Sequence, residues 1–312
     1  MRAVVVEKFG EASTMSIAQL PIPEPAAGQV RIKVAAAGIN PVDIYNLQDP
    51  SWAGIVEGCV LGYDITGTVD AVGDDVSRDL LGGNVMAMTA FPGGQGGYAE
   101  FAVVDAALVS PLKADADLIA AASIPLAAGT AWEVLQRLQG AGSRMLVLGA
   151  SGGVGLFLLQ LAAAAGLRPI GVGRARNHGV MREFGASACV DYTEGEFLGQ
   201  AVELAGGAFD SIADLVGGEQ ATRGQPFLRH DGQICAIATP TLDLDQIIDA
   251  NQSFHGVLIR DSGERTRQLA QLFDSGRLRT HVTHVMPLTD VVAAHQLVET
   301  GQAAGKVVLT PA

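Results

Sequence analysis

Leu148-Gly149-Ala150-Ser151-Gly152-Gly153-Val154-Gly155 is the stretch that decides how this chain is read. A short apolar strand, Met145 to Leu148, runs into it. An apolar helical run, Val154 to Ala165, leaves it and stops at Gly166, a residue suited to the position after a helix. Glycines between a strand and a helix let the backbone come close to a pyrophosphate. The helix N-terminus adds free N–H donors and a partial positive charge. The spacing is not the plain G-x-G-x-x-G, so the setting carries the weight.

That setting is a strand–helix rhythm from about 114 to 258. Strands are expected at Pro169 to Val172, Ala188 to Asp191, Phe209 to Leu215 and Gly232 to Ala238, with a helix near Asn177 to Phe184. Such alternation implies an α/β fold, a doubly wound parallel sheet covered on both faces. Residues 1 to about 113 read differently, as short strands with frequent turns: Val30 to Val34, Ile65 to Val72, and Tyr98 to Val104 after the glycine-rich loop Gly93 to Gly97. This is the texture of a small β barrel or sandwich. Residues 259–312 hold two amphipathic helices (near Glu264 to Phe273 and Asp290 to Glu299) and a closing strand, Lys306 to Leu309, and are too small to stand alone. The expected domains are therefore 1–113, 114–258, and a return over 259–312.

The end of the second strand of the α/β region bears on the cofactor. An NAD site places an acid there, on the ribose 2'-hydroxyl. Here the residues are Gly173-Arg174-Ala175-Arg176-Asn177-His178. A carboxylate would repel a 2'-phosphate, whereas arginine forms charge-assisted bonds to it. The reading is NADPH.

Bulk properties exclude other classes. The chain has 312 residues, 48% of them hydrophobic, and a formal charge of -13, which disfavours nucleic acid as a partner. Cys59, Cys189 and Cys235 form no pair, so neither a disulfide framework nor a zinc ribbon is expected, and a cytoplasmic setting is. The longest apolar run falls short of a membrane span. One rival motif is present: Gly149-Ala150-Ser151-Gly152-Gly153 also fits G-x-S-x-G, and Asp214 and His230 follow in the order of a hydrolase triad. Against it, no oxyanion segment precedes, and the two arginines would have no task.

Beyond these motifs the chain resembles the medium-chain dehydrogenase/reductase superfamily, in its quinone oxidoreductase (zeta-crystallin-like) branch. The residues that carry this are Ala37 to Tyr45, Leu61 to Gly67, Gly96 to Phe101, Ile124 to Trp132, the glycine loop, and Gly305 to Leu309. The resemblance implies a GroES-like β domain built from the first part and the tail, with the Rossmann domain inserted, and a homodimer. Zinc-dependent members have a Cys near Ile39 and a Gly-His-Glu near Gly62; this chain has Ile39-Asn40 and Gly62-Tyr63-Asp64, so no metal is expected.

By the same resemblance, Asn40 touches the nicotinamide ribose or the substrate oxygen, Tyr45 lines the pocket and donates to a developing oxyanion, and Asp43 holds that loop. Thr130 lies near the nicotinamide. Gly149, Ala150, Gly152, Gly153 and Val154 cradle the pyrophosphate. Arg174, Arg176 and His178 stand where the family binds the 2'-phosphate, and Tyr192 packs beside the adenosine. Val216 and Gly217 close over the adenine-ribose side, Ala238 sits near the nicotinamide amide, and Arg260 reaches toward the cleft. Without a metal, a quinone or α,β-unsaturated carbonyl is the expected acceptor, since it delocalises charge on reduction. An enoyl-thioester reductase and a non-catalytic NADPH-binding protein stay open.

Overall fold

The computed structural model describes residues 1–312 except 92–95, 139, 141, 302 and 312; part of the glycine-rich loop before Tyr98 therefore lies outside the described residues. In chain order the elements begin with β1 (Arg2–Val6), β2 (Met15–Gln19), β3 (Gln29–Gly38), α1 (Pro41–Gln48), β4 (Asp64–Val72), β5 (Asn84–Met88), β6 (Phe101–Asp105), β7 (Val109–Pro111), α2 (Leu118–Ala121) and α3 (Pro125–Arg137). There follow β8 (Arg144–Leu148), α4 (Gly153–Ala164), β9 (Arg168–Val172), α5 (His178–Glu183), β10 (Ala188–Val190), α6 (Phe197–Ala205), β11 (Phe209–Asp214), α7 (Gln220–Gly224), β12 (Leu228–Ala236), α8 (Leu244–Asp249) and β13 (Ser253–Gly256). The last are α9 (Gly263–Asp274), β14 (Val282–Pro287), α10 (Val291–Glu299) and β15 (Lys306–Thr310). The chain divides into two compact units, Met1–Gly129 with Ile259–Ala312, and Thr130–Leu258.

The second unit is a parallel sheet in the order β10-β9-β8-β11-β12-β13. Its central strands are buried along their length, as continuous apolar runs require when helices cover both faces. Leu146, Leu148, Ile170, Val190, Phe197, Phe209 and Ile212 share one core cluster. The first strand of the unit, β8, lies centrally, and the order reverses between β8 and β11. In a doubly wound sheet that reversal opens a crevice at the carboxyl ends of the strands. The fold is α/β, with a Rossmann-type sheet.

The first unit is built on β3, which pairs antiparallel with β4, β6 and β15. Here burial alternates, and the inward residues Val30, Ile32, Val34, Ile65, Val69, Val104 and Leu309 form the core. The tail has a place: β15 sets Val308 opposite Gly38 and Leu309 opposite Ala37, so residues far apart in sequence share one sheet. Residues 114–129, read from sequence with the dinucleotide region, pack in this first unit. The Thr66 hydroxyl donates to Leu118 O at 2.7 Å, and a Cβ on Gly38 would collide with Ala122 O.

Candidate active site

The glycine loop sits at the carboxyl end of β8 and leads into α4, which has Gly152 as its N-cap and leaves the first-turn N–H groups without intrahelical acceptors. Its glycines do different things. Gly149 has φ +80°, the left-handed region. A Cβ on Gly155 would stand 2.5 Å from both Gly149 O and Ala150 O, so this glycine lets α4 press on the loop. Gly152 meets only Gly149 O at 3.4 Å, ordinary contact, and its φ is -77°. The fold tolerates a side chain there; the open space it faces is what an anion would occupy.

Around the loop, the neighbouring strand ends supply the other expected residues of this unit. A Cβ on Gly149 would reach Val216 Cγ2 at 2.8 Å, one on Gly217 would reach Ala238 Cβ at 3.0 Å, and one on Gly173 would reach Ser151 Oγ at 3.2 Å. Asp214 shapes the turn after β11, its Oδ1 accepting from Val216 N (3.0 Å) and Gly217 N (2.9 Å). After β9, Arg174 and Arg176 are exposed, and Arg174 Nε donates to the Tyr192 hydroxyl at 2.8 Å. His178 Nε2 donates to Gly173 O at 3.1 Å, so the imidazole closes the turn it belongs to.

The hydrolase arrangement does not form. In the parallel register Leu148, Asp214 and Ala236 stand level, so Ser151 lies beyond the carboxyl end of the sheet. His230 lies near the start of β12, roughly 20 Å from Ala236 at about 3.3 Å per residue. Asp214 is fully buried and spent on its own turn.

In the first unit, α1 carries Asp43 and Tyr45, with Asn40 as its N-cap. Asp43 Oδ2 accepts from Asn40 N at 2.8 Å, the reach-back half of a capping box, and from the Tyr98 hydroxyl at 3.0 Å. Asn40 is 1% exposed, and its amide is held at both ends: Oδ1 accepts from Lys306 Nζ at 2.5 Å, and Nδ2 donates to Asp64 Oδ2 at 2.9 Å. Lys306 also donates to Ile39 O at 2.8 Å and faces Asp64 Oδ2 at 3.6 Å. Asp64 Oδ1 accepts from Leu126 N at 2.7 Å. Sequence reading missed Asp64 and Lys306 as partners of Asn40, and Tyr98 as a partner of Asp43. Tyr45, by contrast, is 56% exposed and is not a core residue. Thr130 is buried on α3.

This cluster holds two carboxylates and one ammonium. Burial raises the Asp64 carboxyl above its usual range, against the pull of Lys306, and lowers the Lys306 ammonium, against Asp64 and Asp43. The charge left over falls on Asp43. Burial pushes its carboxyl up to about 7, although the Asn40 N–H and Tyr98 hydroxyl favour the charged form. Its Oδ1 is buried with no hydrogen-bond partner, a costly place for an anion.

The residues do not fit a zinc ion. Ile39 and Tyr63 offer no ligand in the places where zinc-dependent relatives have one, and the Asp64 carboxylate already serves Leu126, Asn40 and Lys306. Among the described residues, no three His, Cys, Asp or Glu side chains are grouped to hold a metal. Nor, among those residues, is any helix long and apolar enough to cross a membrane.

Two outcomes follow from this geometry. Gly152→Glu should melt close to wild type yet weaken nicotinamide-nucleotide binding by about 100-fold or more, whereas Gly155→Ala should lower the melting temperature; calorimetry with a fluorescence titration reads both. For Asp43, a folded pKa above the ordinary carboxylate value means the folded chain binds that proton more tightly. The stability it gives is full below about pH 4 and is lost as pH rises through about 7. Asp43→Asn keeps an acceptor but has no proton to lose. Denaturant unfolding across that window should show the variant gaining on wild type, by at most about 1.4 kcal/mol per pH unit. Parallel pH curves would place the proton elsewhere.

Comparison with known proteins bears on the same segments. Residues 26–114 match the family model described as alcohol dehydrogenase GroES-like domain, and residues 184–309 match the one described as zinc-binding dehydrogenase. The chain is 31% identical to the mitochondrial NAD(P)H oxidoreductase RTN4IP1 of Danio rerio, over 99% of this chain and 91% of the relative. Among solved structures, the quinone oxidoreductase from Coxiella burnetii is 29% identical with a TM-score of 0.90, over 100% of this chain and 99% of that one. A mycobacterial protein solved in complex with NADPH is 27% identical with a TM-score of 0.88, over 100% of both chains. With a GroES-like unit, a Rossmann-type unit and these relatives, the chain belongs to the medium-chain dehydrogenase/reductase superfamily, among the quinone oxidoreductase-like proteins, and is an NAD(P)H-dependent oxidoreductase.

Proposed function

We propose that this protein is an NADPH-dependent reductase that transfers hydride to a quinone or α,β-unsaturated carbonyl without a metal. The observation that carries the cofactor choice is the turn after β9, Gly173 to His178, where Arg174 and Arg176 stand exposed and the turn's own sequence holds no acid. Gly149, Ala150, Gly152, Gly153 and Val154 form the pyrophosphate cradle, with the α4 N-terminus against the phosphate charge. Arg174 and Arg176 bind the 2'-phosphate; His178 serves by closing their turn. Tyr192 packs on the adenosine, Val216 and Gly217 border the adenine ribose, and Thr130 and Ala238 border the nicotinamide. Bound there, the reduced nicotinamide supplies a hydride.

Within the catalytic unit, Tyr45 is the residue free to donate to the oxygen on which charge develops, being exposed on α1. Asn40 and Asp43 act by fixing the start of that helix. A quinone or enone spreads the incoming charge over its conjugated system and takes its proton from water, so no Lewis acid is required. Ile39 and Tyr63, standing where zinc-dependent members carry ligands, support that acceptor class over a plain ketone. A homodimer is supported by β13, an edge strand of the parallel sheet on which Phe254 is exposed, and by the exposed Leu244 and Ile248 of α8. The three free cysteines suit a reducing compartment such as the cytosol.

Steady-state assays with NADPH and a panel of quinones, enones and simple ketones test this reading. Quinones or enones should turn over in the presence of a chelator, simple ketones should be poorer by at least about 100-fold, and Tyr45→Phe should lower kcat by about 100-fold on the good acceptor. Ketone reduction that depends on added zinc would overturn it.

A further inference from the structure

The turn that presents the two arginines is short, and the His178 imidazole on Gly173 O closes it at its base. One 3-10 turn spans Ala175–Asn177, closed by Asn177 N donating to Arg174 O at 2.8 Å. The orientation comes from the neighbouring segment after β10. Asp191, the residue just beyond that strand, accepts from Ala175 N through Oδ2 at 2.6 Å. Its Oδ1 accepts from Thr193 N at 2.8 Å and from the Thr193 hydroxyl at 2.7 Å. One carboxylate thus ties the β9 turn to the β10 turn. A second tie runs beside it: Arg174 Nε donates to the Tyr192 hydroxyl, with the guanidinium carbon 5.9 Å from the ring centroid. This anchors Arg174 by its inner nitrogen and leaves its two terminal nitrogens for an anion.

An acid in this position is unexpected on electrostatic grounds alone. A carboxylate near a phosphate site repels the phosphate, so its presence needs an offsetting gain. The three donors supply it: the Thr193 N–H, the Thr193 hydroxyl and the Ala175 N–H hold the Asp191 carboxyl below its usual range, so it is fully ionised where the protein works.

We propose that Asp191 is a positioning residue for cofactor selection, a brace that aims Arg174 and Arg176 at the 2'-phosphate of NADPH without touching the cofactor. This rests on the NADPH reading above. The two physical roles open to Asp191 have opposite signs. As a mere negative neighbour of the phosphate, it would weaken NADPH binding, and neutralising it would strengthen it. As a brace, its loss loosens the arginines and weakens NADPH while leaving NADH, which has no 2'-phosphate, nearly unchanged.

The test is the ratio of NADH to NADPH dissociation constants, by fluorescence titration, for wild type, Asp191→Asn and Ala175→Pro. The proline removes the N–H donor without touching the acid, and suits the first position of the turn, which follows an extended residue. Competition by 2',5'-ADP against ADP supplies a second readout. The brace predicts that both variants lose about 10-fold in NADPH affinity, keep NADH within about 3-fold, and lose the advantage of 2',5'-ADP over ADP. A merely structural role would weaken both nucleotides together and leave the ratio intact. An unchanged or increased preference for NADPH in Asp191→Asn would overturn the proposal. No preference in the wild type would instead sink the NADPH reading itself, so the two failures are distinct.

Discussion

The first unit is organised around one buried charge, the Lys306 ammonium. An ammonium taken out of water must find anions and acceptors, and this one finds Asp64, the Asn40 amide and Ile39 O. Its partners come from the end of β3, the start of β4 and the N-cap of α1, while Lys306 itself opens the last strand. The C-terminal return is thereby more than an extra strand on the sheet. It delivers the cation on which the start of α1, and hence the base that carries Tyr45, is set. Removing one member of such a pair typically costs about 3–5 kcal/mol, because the other charge stays buried and alone.

The same charge fixes the protonation of its surroundings. Two carboxylates share one ammonium, burial raises both, and the Asp43 carboxyl, with an unpartnered Oδ1, is pushed up to about 7. Tyr98 and the Asn40 N–H keep that carboxyl in place in either state. Asn40 and Asp43 are set inward, while Tyr45 on the same helix is exposed.

Much of this was legible in the sequence, for reasons that differ by unit. The Rossmann-type half announces itself because its signals are local: a glycine loop, an apolar strand before it, a helix ended by Gly166, and arginines one strand later. The core strands β8, β9, β10 and β11 fall where the apolar runs are. In the other half, α1 escaped notice because two turns carry too little periodicity, although Asn40 and Pro41 mark its start. The polar cluster escaped because Asn40, Asp64, Tyr98 and Lys306 meet only in the folded chain, and no spacing rule connects them. Residues 114–129 cluster with the first unit, a placement that apolar helical sequence does not reveal because it looks alike wherever it packs. His178 shows a limit of another kind: the sequence placed it beside two arginines, and the structure turns its imidazole onto Gly173 O.

One unit carries Arg174 and Arg176 exposed on the turn after β9, and the other carries Tyr45 exposed on α1. Each rests on buried carboxylates that hold local backbone N–H groups: Asp64 and Asp43 in one, Asp214 and Asp191 in the other. The proposed choice of NADPH by the exposed arginines after β9 can be read from a titration of the purified protein with NADPH and with NADH at the same ionic strength. NADPH should bind tighter by about 10-fold or more, with the gap narrowing as salt rises. Equal affinity for the two nucleotides would remove the arginines from cofactor selection.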